Sequence, residues 1–313
     1  MDPTTTRRPR ARRPARALAI AAAALLLPAL AGCSGDDGAA ADSATCPDGR
    51  IRFGIEPFED PAKLTPAYET LAKGLEEKLD CPVEVTVVED YAAEVLAMRN
   101  DQLELGQFGP LGYVFAKERA DAEPLVSFGT AEGEHSSYRA GIWVPKDSSI
   151  TSVGDLKGRS LALGSVGSTS GDVLPRSALA DAKIPEDDVR LDYAGGHPEA
   201  LLALANGKVD AAQINTQQLA VATEAGHFDE ADFRRVWESE DIPNDPITVR
   251  GNADPEFKKA VRTALLDLDP KVIGEVGAYL DVTPPGPLLA VDDETYSPLF
   301  ELAEKMDLTE EDV

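Results

Sequence analysis

Two α/β lobes with mainly parallel sheets, joined by two crossings of the chain, are predicted for this sequence by three observations. Short apolar runs alternate with amphipathic stretches from residue 51 onward, the rhythm of βαβ units. The strands are too many for one sheet of ordinary width, so two sheets are needed. The last stretch, from Ile247, is too small to fold alone and is expected to rejoin the first lobe, with crossings near residues 140 and 245. With 313 residues and 43% hydrophobic content, the chain has enough apolar material for two such cores.

The elements follow in order. Ile51 to Ile55 reads as a strand, and the helix after it carries Tyr68, Leu71, Leu75 and Leu79 on one face. Strand Val83 to Val88, helix Tyr91 to Asn100 and strand Leu103 to Phe108 continue the pattern. Gly109-Pro110 opens a helix with Tyr113 and Phe115 inward, and Leu125 to Phe128 is the next strand. A second series starts with strand Ala140 to Val144, then strand Ser160 to Leu163, helix Gly171 to Ala182 and strand Val189 to Tyr193. Helix His197 to Asn206, strand Val209 to Ile214, helix Thr216 to Ala225 and strand Arg235 to Glu238 complete it. One more strand from Ile247 and helices at Phe257 to Leu268 and Pro298 to Met306 close the chain. The expected organisation is residues 49–139 plus 246–313 for the first lobe and 140–245 for the second.

Ahead of the body, residues 1–32 read as a lipoprotein signal peptide. A basic stretch from Arg7 to Arg16 precedes an apolar run from Ala17 to Ala31, too short to span a membrane comfortably. Leu30-Ala31-Gly32-Cys33 resembles the lipobox of bacterial lipoproteins, which makes Cys33 the expected lipidation site. Residues 33–48, small and polar, read as a flexible tether. Export to an oxidising compartment makes a Cys46 to Cys81 disulfide the expectation, since each precedes one of the first two strands. Too few ligand side chains are grouped to suggest a metal. The net charge is -26, and without the basic leader it is -31 on the remaining 281 residues, which argues against nucleic-acid binding.

Ligands of open α/β sheets sit at the carboxyl ends of strands, so the loops there are where chemistry is expected. Gly164 to Gly171 places Ser168, Thr169 and Ser170 at a helix start, where unpaired N–H groups and the helix dipole favour an anion. One hydroxyl would suffice for a cap, and three exceed that need. No Lys follows the last glycine, so this is not a nucleotide phosphate loop of the Walker type. His197 opens another helix and Asp245 lies at the return crossing. Ser168, His197 and Asp245 permit a hydrolase triad, which the loop disfavours because Thr169 stands where a nucleophile elbow centres its serine. Trp237 and Phe233 are expected in the core, Tyr113 in helix packing, and Arg139 in a surface ion pair.

From residue 51 to about 300 the chain resembles the periplasmic phosphonate/phosphite-binding proteins of ABC importers. The resemblance is carried by Asp90-Tyr91-Ala92, Gly109-Pro110 with Tyr113, Ser168-Thr169-Ser170-Gly171 with Pro175, and Gly195-Gly196-His197. It continues through Ala203 to Asp210, Val236-Trp237-Glu238-Ser239 and Ile242-Pro243-Asn244-Asp245-Pro246. It implies a type II periplasmic-binding clamp that closes on a phosphorus oxyanion, with Ser168, Thr169, Ser170, His197 and Asp245 matching ligand contacts and Tyr91 a site tyrosine. Phe108 stands where phosphonate binders have Tyr, and Gln217 where aminoalkylphosphonate binders place Glu against the ligand's ammonium. Phosphite, phosphate or a small phosphonate is therefore the expected ligand. A carboxylate such as Asp245 tolerates an oxyanion only through a P–OH proton, which would exclude sulfate.

The leader with its lipobox, together with the resemblance, implies an extracytoplasmic protein, lipid-anchored at the outer face of the cytoplasmic membrane and expected as a monomer. Its partners would be permease and ATPase subunits, without a cofactor and without catalytic activity. A binding protein that reports an oxyanion to a membrane signalling partner would use the same fold and site.

Overall fold

A computed structural model describes residues 44–309, so the leader, Cys33 and the lipidation expected there lie outside the described residues. The first series comprises β1 (Ile51–Ile55), α1 (Pro61–Leu79), β2 (Val83–Val87), α2 (Tyr91–Arg99), β3 (Leu105–Gln107), α3 (Pro110–Ala120) and β4 (Glu123–Phe128). Then come β5 (Ser137–Tyr138), β6 (Gly141–Pro145), β7 (Ser160–Leu163), α4 (Leu174–Asp181), β8 (Arg190–Tyr193), α5 (His197–Ala205), β9 (Ala211–Gln213), α6 (Thr216–Glu224) and β10 (Phe233–Glu238). The chain ends with β11 (Ile242–Pro243), β12 (Ile247–Val249), α7 (Pro255–Leu266), α8 (Pro270–Tyr279), β13 (Leu288–Ala290) and α9 (Ser297–Lys305). Helix starts follow capping chemistry: Asp60, Asp90, Asp254 and Asp269 each accept a first-turn N–H ahead of α1, α2, α7 and α8.

A six-stranded sheet has the order β13-β4-β12-β3-β1-β2 and a five-stranded sheet the order β10-β6-β9-β7-β8. In the first, β1 to β4 run one way and β12 and β13 run against them; in the second, only β6 is reversed. Both β6 and β12 directly follow a passage through the antiparallel ribbon of β5 and β11, where Ile242 pairs with Tyr138. The chain changes sheet at this ribbon, and each new sheet begins with its reversed strand.

The six-stranded sheet buries one face under α1, α7 and α8, with Phe53, Leu71, Leu75, Phe257 and Ile273 in contact, and the other under α2, α3 and α9. The second sheet is likewise covered on both faces, by α4 on one and by α5 on the other. Tyr113 is fully buried, whereas Trp237 and Phe233 are half-buried at the rim of their clusters. Cys46 and Cys81 form a disulfide with a Cα–Cα distance of 5.5 Å, beside the parallel register Ile51 to Val83. Closing a loop of this kind typically contributes ~2–4 kcal/mol. Among the described residues, no helix is long and apolar enough to cross a membrane.

Candidate functional site

One cavity collects residues that follow strand ends in both sheets. Glu56 comes after β1, Tyr91 after β2, Gly109 after β3, Ser168 to Ser170 after β7, His197 after β8, and Asn215 and Gln217 after β9. Tyr138 enters from the ribbon, and Asp245 from just ahead of the reversed strand β12. The cavity is narrow, about 20 Å³, and partly open to solvent. Among the described residues, no lysine or arginine lines it. The positive character comes instead from helix N-termini: α2, α3, α5 and α6 and the turn ahead of α4 all begin at the cavity wall.

The hydroxyl run sits on a single turn of π-helix, Thr169–Val173, placed before α4. The helix expected from Gly171 thus starts two residues earlier and wider, as π turns do at many functional sites. Gly167, at φ +81°, makes the left-handed bend into it. Each hydroxyl oxygen accepts a hydrogen bond from a protein N–H: Ser168 from Gly171 N (3.2 Å), Thr169 from Leu111 N of α3 (2.9 Å) and Ser170 from Asn215 Nδ2 (3.0 Å). With one lone pair so occupied, each hydroxyl is polarised to donate its proton elsewhere. The Leu111 to Thr169 bond also ties the six-stranded sheet's α3 to the second sheet's loop.

His197 is buried, and burial lowers its pKa to about 4 despite the bond to Gln213, so it is a neutral imidazole at physiological pH. Gln213 Oε1 can only accept, so His197 Nδ1–H donates to it at 3.2 Å and Nε2 accepts from the Ser168 hydroxyl at 3.1 Å. A neutral amide therefore stands where a hydrolase triad needs a carboxylate. Asp245 is bonded to Gln107 Nε2 at 3.5 Å instead, which removes the Ser168, His197, Asp245 triad as a catalytic unit. Burial pushes Asp245 up to about 7, opposed by Gln107. Glu56 and Glu94, both buried, are raised as well, first by burial and then by neighbouring carboxylates.

Of the eight residues marked in the sequence as ligand contacts, Tyr91, Ser168, Thr169, Ser170, His197, Gln217 and Asp245 line this one cavity. Phe108 does not. Its ring packs with Val95, Met98, Leu103 and Leu111, because side chains alternate along a strand and Gln107 takes the face toward Asp245. The apolar ring expected beside the ligand is thus absent from the wall. The Gln217 amide is held by Asn244 Oδ1 (3.0 Å) and Leu280 O (3.5 Å). Arg139 pairs with Asp241 (2.6 Å) and Glu238 (3.5 Å) at the surface. Glu56, Tyr138 and Asn215 escaped the sequence reading. Position alone could have flagged Glu56, the first residue past β1, and Asn215, which caps α6. No cluster of metal-ligating side chains occurs among the described residues.

The sequence model of the family described as "ABC transporter, phosphonate, periplasmic substrate-binding protein" matches residues 53–296. The phosphonates-binding periplasmic protein of Escherichia coli is 29% identical over 216 residues, 67% of this chain, and the chain spans 64% of that relative's length. The phosphate-import protein PhnD of Mycolicibacterium smegmatis is 28% identical over 257 residues, covering 79% of this chain and 80% of that protein. The crystal structure of a binding protein component of an ABC phosphonate transporter from Pseudomonas aeruginosa superposes with a TM-score of 0.71 at 25% identity, covering 82% of this chain and 86% of that one. The two-sheet clamp is the type II periplasmic-binding fold, and the chain belongs to the family of phosphonate-type periplasmic substrate-binding proteins of ABC transporters.

Proposed function

We propose that the protein captures a small phosphorus oxyanion, phosphite, phosphate or a small phosphonate, by closing its two lobes over it. It then hands the ligand to the permease and ATPase of an importer. The observation that carries this reading is the run Ser168-Thr169-Ser170, with each oxygen already accepting an N–H and the Thr169 and Ser170 hydroxyls left to donate, lining a cavity that also holds Asp245. Such a wall donates to ligand oxygens and accepts one ligand proton, which suits a partly protonated tetrahedral anion. The names of the relatives, one for phosphonates and one for phosphate, support the same ligand class. The Gln217 amide, neutral and engaged by Asn244, offers no charged partner to an aminoalkyl ammonium.

Calorimetric titration with phosphate, phosphite, methylphosphonate, 2-aminoethylphosphonate and sulfate is expected to show binding of the first three, with 2-aminoethylphosphonate no better and sulfate excluded at mildly alkaline pH. Solution scattering is expected to show a smaller radius of gyration with the bound ligand. Preference for 2-aminoethylphosphonate, or an unchanged radius, would count against the reading.

The same proposal includes a lipid anchor on Cys33 and an extracytoplasmic position at the outer face of the membrane. In a Cys33→Ala strain the protein is expected in the soluble fraction or as unprocessed precursor. Undiminished, detergent-dependent membrane attachment would remove the anchor from the proposal.

A further inference from the structure

Glu56 has a place in the cavity that the hydroxyl run and Asp245 do not explain. It is 2% exposed and lines the wall, and its Oε2 has no hydrogen-bond partner. The backbone N–H of Gly109 donates to the same carboxyl group. A Cβ on Gly109 would lie 2.5 Å from Oε1, so glycine is what lets this carboxyl seat itself against the N-terminus of α3. One side of the carboxyl is committed to the backbone, and its other oxygen is buried without a partner in a residue that lines the cavity.

The surroundings decide its protonation. Asp245 faces it from ahead of β12, Glu94 and Tyr91 from α2, Tyr68 from α1 and Tyr138 from β5. Glu59, Tyr279 and His197 complete the titratable wall; Glu59 is paired with Lys63 at 3.2 Å and His197 is neutral. An oxyanion and two facing carboxylates cannot all be charged in a buried space that no lysine or arginine lines. Burial, then the charge of Asp245, raises Glu56 well above the usual carboxylate range, and Gly109 opposes this only in part.

We propose that Glu56 meets the ligand as a neutral carboxylic acid, its Oε2–H donating to a ligand oxygen in the position a cation would otherwise fill, while Asp245 accepts the ligand's own P–OH. This rests on the oxyanion reading above and divides the work of the site. Glu56 sets affinity and its alkaline limit, because an ionised Glu56 repels the anion. Asp245 sets selectivity among anions.

The test uses Glu56→Gln, whose amide keeps a donor in the same place and cannot ionise. Unmodified and variant proteins are titrated with phosphate and with methylphosphonate from mildly acidic to alkaline pH. At neutral pH the variant is expected to bind within a few-fold of the unmodified protein. The ratio of variant to unmodified affinity is then expected to climb with pH, approaching about tenfold per pH unit once Glu56 ionises. A loss of about 100-fold at neutral pH would mean that Glu56 accepts rather than donates, and a ratio that does not change with pH would mean that it does not titrate; either overturns the proposal.

Infrared difference spectra give a readout without any ligand. The unmodified protein at neutral pH should show a deuteration-sensitive carbonyl band of a protonated carboxyl group that Glu56→Gln lacks, and its absence overturns the proposal as well. If the unmodified protein binds neither anion nor any other of the phosphorus oxyanions, the ligand reading itself has failed. This proposal then falls with it, whatever the infrared band shows.

Discussion

Asp245→Asn is expected to admit sulfate. The native carboxyl is 3% exposed and takes one weak bond from Gln107 Nε2 at 3.5 Å. Burial pushes it up to about 7, so it is mainly a carboxylate above that pH and mainly a neutral acid below it. As a carboxylate it can only accept, and it repels an anion that brings no proton. Asparagine offers an N–H in the same place, which a sulfate oxygen can use. It also removes the charge-assisted bond to a P–OH, worth about 1.5–3 kcal/mol, or roughly 10- to 100-fold in phosphate or phosphite affinity. Competition titrations should therefore show the phosphate-to-sulfate ratio falling by about 100-fold or more at mildly alkaline pH. The sign of the pH effect follows from the raised value: the unmodified protein should begin to accept sulfate as pH drops below about 7, because Asp245 then carries its own proton. The asparagine variant should lack that acid limb. Equal exclusion of sulfate by both proteins at every pH would show that Asp245 does not face the ligand.

The sequence made the parts of this site legible where function is written into loop chemistry. Three hydroxyls in a glycine-rich turn, a histidine opening a helix and an aspartate among prolines stand out before any contact is known, and the structure gathers them in one cavity. Phe108 was misread for a geometric reason. Its place beside the ligand came from the resemblance alone, and the backbone of β3 turns Gln107, not Phe108, toward Asp245. The β5 and β11 ribbon was invisible because each strand is two residues long, too short for an alternation pattern. Helix α8 was missed because Gly274 and Gly277 lower its helical propensity; Gly277 is needed where the chain folds back, since a Cβ there would stand 3.3 Å from Val282 O. Glu56 looked like one acid among 56 Asp and Glu, and only tertiary burial without a partner sets it apart.

Net charge was a poor guide to the site for a related reason. A chain at -26 can hold the anion site proposed above, because screening over ~8 Å removes most distant charge and the nearby helix ends and hydroxyls remain. The cavity reaches this without a single lysine or arginine among its described lining residues. Its donors are therefore all short and fixed by packing, and they should tolerate displacement poorly.

Gly171→Ala puts that last inference to the test. A Cβ at this position would stand 2.8 Å from His197 Cε1, 2.9 Å from Ser168 Oγ and 3.1 Å from Ser168 Cβ. Neither neighbour is a flexible chain end. His197 is clamped between Gln213 and Ser168, and Ser168 also takes the N–H of Gly171. Making room for one methyl group must lengthen the Ser168 to His197 bond or turn Ser168 away from the cavity. Overpacking of this kind costs about 1–3 kcal/mol, which leaves the protein folded but lowers its melting temperature. The cost to binding is larger, since Ser168 and His197 both line the cavity and two displaced contacts at about 1–1.5 kcal/mol each amount to roughly 100-fold in affinity. Gly154→Ala is the control, because its Cβ would meet only Ser152 Oγ at 3.4 Å, an ordinary contact, far from the cavity lining in sequence and absent from it. Calorimetric titration beside thermal unfolding should show Gly171→Ala losing affinity out of proportion to stability and Gly154→Ala losing neither. Native-like affinity in Gly171→Ala would mean that Ser168 and His197 can move apart freely, and the rigid donor wall inferred from their hydrogen bonds would have to be given up.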